Sequence, residues 1–144
     1  MKRIFAIAAV VAVAAGLLAA AAYAGVRDFH GPVDRGGTID FDALFQHGKP
    51  KQAGHFEFHN IPVKCDQGNT RAAIGTGNIV DVSHRRFHYR FNFGDPTEKA
   101  VLHGKFNRKG NKATGDVDIE GLDLSKTHTN CSLPSPRDWT AHKQ

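Results

Sequence analysis

Leucine is scarce in most of this chain. Only five leucines lie beyond residue 25, and no apolar series recurs there at i, i+3, i+4 and i+7. That excludes a helical bundle. Serine nucleophiles are few as well. Ser83, Ser125, Ser132 and Ser135 are the serines of that region, and none stands in a G-x-S-x-G elbow. No glycine-rich loop leads into a helix as a phosphate cradle would. There are two cysteines, Cys65 and Cys131, so neither is spare for catalysis if they pair. Neither sign of charge dominates enough to mark a nucleic-acid binder.

The first 24 residues read as an export leader. Met1-Lys2-Arg3 is a short positive segment, Ile4 to Ala22 is apolar, and Ala22-Tyr23-Ala24 is a small-x-small cleavage signature. The run is also about the 20 residues that span a bilayer, so a retained anchor is the rival reading. Its alanine-rich content and its cleavage site favour removal after Ala24, which leaves no stable membrane insertion. The remaining 120 residues carry 17 basic and 14 acidic groups, a net charge of +3 with histidine neutral. All nine histidines lie in this part, so its charge rises in acid. In an exported chain Cys65 and Cys131 are expected to form a disulfide. It closes a loop of about 65 residues, worth on the order of 4 kcal/mol on the chain-entropy account.

Alternation of period 2 is the dominant pattern. Ile39, Phe41, Ala43 and Phe45 alternate with Asp40, Asp42 and Leu44, and Phe56 and Phe58 alternate with His55, Glu57 and His59. The phase slips near Asn60-Ile61-Pro62, which predicts a bulge. Phe87, Tyr89, Phe91 and Phe93 give the clearest alternation and predict a central core strand. Ala100 to Phe106 and Ala113 to Ile119 flank a hairpin connection, and Trp139-Thr140-Ala141 closes the chain as a strand. Seven to nine short strands predict a single antiparallel β-sandwich of jelly-roll or immunoglobulin-like kind, with a small β-barrel as the alternative. The expected organisation is a leader over 1–24, a flexible lead-in over 25–37, and the β-domain over 38–144.

Three segments resemble a group of small secreted bacterial β-proteins: Val63-Lys64-Cys65-Asp66-Gln67-Gly68, Gly104-Lys105-Phe106 through Ala113-Thr114-Gly115, and Cys131 with Trp139-Thr140-Ala141. That group shows Cys-x-x-Gly, a G-x-F…A-x-G hairpin and a terminal Cys…Trp-Thr-Ala. The resemblance covers roughly residues 38–142. It implies a β-sandwich and a disulfide, and no catalytic chemistry.

Two constellations bear on function. His55-x-Glu57-x-His59 invites a metal, but residues i and i+4 on a strand are about 13 Å apart, and zinc sits about 2.0–2.1 Å from each imidazole. His84 and His88 have the same spacing with Arg86 between them, and a fixed cation opposes a metal ion. No metal and no cofactor is therefore expected. The second constellation is a stripe of His84, Arg86, His88 and Arg90 opposite the aromatic face, with charges about 7 Å apart and Arg71, Arg85, Arg108 and Lys109 as further cations. Such a stripe suits an acidic polysaccharide or cell-wall polymer. Nucleic acid is disfavoured, because base stacking needs exposed aromatics. The bland alternative is a solvated face balanced by cross-strand acids such as Asp116, Asp118 and Glu120. The phenylalanines and Trp139 are read as core rather than pocket. The reading is a secreted, non-enzymatic domain that binds polyanions weakly. A metal- or small-ligand-binding module comes second, and a small hydrolase is a distant third.

Overall fold

The computed structural model describes residues 24–93 and 95–144. The leader lies outside the described residues except for Ala24, where the first strand starts. No helix among the described residues is long and apolar enough to cross a membrane. The described chain is built from strands: β1 (Ala24–Pro32), β2 (Thr38–Gln46), β3 (Lys49–Cys65), β4 (Gly68–Gly75), β5 (Ile79–Asp81), β6 (Arg86–Asn92), β7 (Lys99–Phe106), β8 (Lys112–Glu120) and β9 (Arg137–Lys143).

All pairings are antiparallel, in the order β4-β3-β2-β1-β9-β8-β7-β6, with β5 also on β3. The all-β antiparallel class is as expected. The two sheets of a sandwich are instead one sheet, curled into a half-barrel. The cause is β1, which occupies most of the predicted lead-in. It pairs with β2 along its whole length and with β9 at Phe29 and His30, so it joins two four-stranded halves at a seam. Phe29 and Val33 are buried, with Gly31 between them on the same inner face. Gly31 hides the alternation in the sequence. A Cβ there would strike the backbone of Thr140, so glycine lets β9 approach.

The inner face holds the core. In β2 every second residue is buried, Ile39 through Phe45. Phe41 is the hub, with ring centroids 5.0 Å from Phe29, 5.6 Å from Phe56, 5.7 Å from Phe87 and 5.8 Å from Trp139. These partners come from both halves of the sheet, so ring packing holds the curl closed. Across the gap, Asn78 Nδ2 donates to the Tyr89 hydroxyl at 2.6 Å, and Tyr89 stacks on Phe56 at 5.7 Å. The strand of Phe87 is not central as expected. β6 ends the hydrogen-bonded order, though Phe87 and Phe91 are buried on its inner side. Its position follows from the single sheet, in which only β7 hydrogen-bonds to it.

Gly104 and Gly115 explain the hairpin motif. They face each other across β7 and β8, and Gly115 also faces Trp139 on β9. The missing side chains make a notch for two rings. A Cβ on Gly104 would run into the Phe87 ring, and one on Gly115 would meet the His103 carbonyl and Trp139 Cζ2, the latter at 2.6 Å. Phe87 can shift, whereas the His103 carbonyl belongs to the ladder. We therefore expect Gly115→Ala to destabilise more than Gly104→Ala, by about 1–3 kcal/mol in urea unfolding. A neutral Gly115→Ala would contradict the notch.

At the opposite end of the barrel from the β7–β8 hairpin, Cys65 and Cys131 form a disulfide across 66 positions. It ties the end of β3 to the loop after β8, where Lys64 also bridges Ser132 and Leu122 bridges Cys131. The expected bulge is present too. Register shifts between Phe58 and Ile61, and Asn60 takes φ 56.

Candidate anion-binding clefts

The predicted stripe is partly assembled. Arg86, His88 and Arg90 alternate along β6 and are all exposed on its outer side. His84 is not on the strand. It sits in the turn before it, where the Ser83 hydroxyl oxygen lies 3.0 Å from its Nδ1. The direct neighbours of the stripe come from β7: Lys105 opposite Arg86, His103 opposite His88, Val101 opposite Arg90. The acids of β8 are one strand further away. Asp116 is taken by His103 at 3.0 Å and Glu120 by Lys99 at 3.6 Å. Asp116 and Glu120 are thus engaged with β7, Asp118 faces Val101, and His88 instead stacks on His103 with centroids 4.8 Å apart.

The larger concentration of cations is at the turn end of the barrel. Ser83–Arg86 is a two-residue hairpin turn closed by hydrogen bonds of 2.9 and 2.8 Å in both directions. Its central residues, His84 and Arg85, have φ 50 and φ 65. Both angles are positive, the pattern of a type I′ turn, which favours Asn-Gly. Two bulky side chains here cost about 1 kcal/mol or more each.

Two clefts open beside this turn. One, about 530 Å³, is lined by Arg85, Lys105, Arg108 and Lys112 with Asn107 and Thr114. The other, about 440 Å³, is lined by Lys49, Lys51, His84, Arg85 and Arg108 with Pro50 and Val82. Arg85 and Arg108 line both, so the clefts adjoin. No carboxylate lines either one. Among the described residues, none of these lysines and arginines has an acid within ion-pair distance. Like charges left together without acids form a positive field that an anion neutralises.

Of the other cations named from the sequence, Arg71 is elsewhere, donating to the Asn60 carbonyl at 3.0 Å, and Lys109 lines neither cleft. Sequence reading missed Lys49, Lys51, Lys105 and Lys112 as partners. They come from three strands, and the curl brings the start of β3 beside the Ser83–Arg86 turn and Arg108 of the β7–β8 connection. Each lies at a strand end, and that is the one signal the sequence carries.

The His55, Glu57 and His59 series does not converge on one point: His55 pairs apart from the other two. His55 Nδ1 lies 2.8 Å from Asp42, and His59 Nε2 lies 3.2 Å from Glu57 and 3.6 Å from Asp40, which also meets His30 at 2.6 Å. Among the described residues no group of three or more such side chains is set to hold a metal ion. One carboxyl is shifted. Asp95 is held below its ordinary range by the Thr97 backbone N–H and hydroxyl, both 2.8 Å away. It caps the turn between β6 and β7, at the other end of those strands from Arg85 and Lys105.

No protein-family model, curated protein or solved structure matches this chain.

Proposed function

We propose that the protein is an exported, non-catalytic β-domain that binds acidic polymers of the cell envelope. The contact surface is the pair of adjoining clefts at the turn end, extended along the outer edge by Arg86, His88 and Arg90. One observation carries the reading: two clefts share Arg85 and Arg108, and neither contains a carboxylate. The strained His84-Arg85 turn supports it. Costly backbone angles persist where the side chains they aim are used. The disulfide fits an oxidising compartment, and the leader-like first 24 residues account for export. The resemblance to small secreted bacterial β-proteins points the same way. Guanidinium forks suit carboxylate, sulfate or phosphate groups on a chain, and no exposed aromatic lines the clefts for base stacking.

Retention on immobilised dextran sulfate tests this reading. Binding should fall steeply as salt rises from low to physiological strength, because exposed charges are screened within about 8–10 Å there. Arg108→Ala should weaken it about tenfold, the lower value for a hydrogen bond to a charged group. Arg90→Ala, on the open strand face, should weaken it less. Retention that ignores salt, or that Arg108→Ala leaves unchanged, would refute the assignment.

A further inference from the structure

The other half of the sheet carries a site of opposite character. A trough of about 170 Å³ lies over β1, β2, β3 and β5. Val26 and Leu44, paired directly across β1 and β2, form one apolar wall, and Ile79 of β5 forms another. Val26 and Ile79 are 64% and 54% exposed, two of the three large hydrophobics left in solvent among the described residues. Two such residues facing one depression are not scattered surface apolar groups. The floor is Gly54. β5 runs so close to it that a Cβ would meet the Asn78 carbonyl at 2.8 Å, so the floor stays bare.

The polar groups here are few and oriented. His55 follows Gly54 at a register shift in the β2–β3 ladder and is held at φ 51, a left-handed angle that histidine adopts under constraint. This turns its ring to the outer face, where Nδ1 meets the Asp42 carboxylate at 2.8 Å. A carboxylate only accepts, so Nδ1 donates, and in the neutral form of the ring Nε2 is the acceptor. Gln52 lines the trough and donates to Asp81 at 3.3 Å. No lysine or arginine lines it.

We propose that this trough binds a small uncharged phenol, with the ring between Leu44 and Ile79 and the hydroxyl donating to His55 Nε2. The size agrees, since a cavity of about 150 Å³ accommodates a benzene ring. The charge agrees as well, because Asp42 at the rim repels an anionic head. The strain at His55 gains a purpose, the holding of an imidazole on the outer face where it lines an apolar trough. This inference is independent of the polyanion reading, and its residues are separate from the basic clefts.

Titration of the isotope-labelled protein with p-cresol and with toluene, followed by backbone amide shifts, provides the test. Both should give saturable shifts centred on Gly54, His55 and Ile79. The p-cresol should bind about fivefold tighter, a typical net worth of one hydrogen bond. His55→Gly accepts the positive φ and removes the acceptor. It should bring p-cresol down to toluene's affinity and leave toluene unchanged. Ile79→Asn, at an exposed position, should weaken both. Equal binding of the two ligands by the unmodified protein, or shifts centred on Phe93 instead, would overturn the proposal. So would a His55→Gly protein that keeps its preference for p-cresol.

Discussion

Phe41→Ala should remove about 3–5 kcal/mol of stability, the range for a buried phenylalanine cut to alanine. Phe41 is 4% exposed and contacts rings from β1, β3, β6, β7 and β9. A cavity at that point faces both halves of the sheet, so relaxation of one half cannot fill it. Because a domain has only about 5–15 kcal/mol in total, the variant should be marginal at room temperature. Phe91→Ala should lose less. Its ring neighbours are Phe58, Tyr89 and Phe93, at the rim of the half-barrel, and Phe93 is itself 37% exposed. Arg86→Ala and Arg90→Ala should stay within roughly 0.5 kcal/mol, as exposed sites do. Chemical unfolding of the four proteins, with the slope checked for constancy, gives the ranking. If Phe91→Ala outranked Phe41→Ala, the seam between the halves would not be the centre of the core.

The contrast between those two phenylalanines shows what the sequence made legible. Alternation identified the inner faces of β2, of β3 at Phe56 and Phe58, and of β6 at Phe87 and Phe91, because burial on one side of a pleat writes itself at period 2. Phe87 and Phe91 were therefore placed inside correctly. What alternation does not encode is which strands are neighbours. β6 has the most regular pattern in the chain and lies at the end of the sheet, while β1, which stitches the halves, reads as a glycine-rich lead-in. Gly31 serves close backbone approach, and a side-chain pattern records such an approach only as a gap. The pairing of Cys65 with Cys131 was legible because two cysteines leave one choice.

The candidate site follows the same logic. Arg86, His88 and Arg90 share a face because they share a strand, and period 2 finds such groups. The clefts need Lys49 beside Arg85 and Arg108 beside both, contacts between positions far apart in the chain. Lysines at strand ends look like ordinary edge protection. Arg85 was read as a residue beside the stripe. Its positive φ, shared with His84 and invisible in the sequence, sets it apart from Arg86 and the rest of the stripe.

That angle permits a test in which stability and binding move in opposite directions. Replacing His84 and Arg85 together by Asn and Gly supplies the pair that a type I′ turn prefers. The hairpin hydrogen bonds between Ser83 and Arg86 are backbone groups and should survive. Relief of two left-handed side chains should raise stability by about 1 kcal/mol, after allowing for the greater freedom of glycine in the unfolded chain. The same change takes Arg85 out of both clefts and His84 out of one. Retention on dextran sulfate should then weaken by about tenfold or more and lose part of its salt dependence. A surface turn kept merely as a connection would gain stability with binding untouched. A turn whose side chains packed for stability would lose both. Only a turn strained to hold cations at the mouth of an anion site gives a more stable protein that binds its polymer less well.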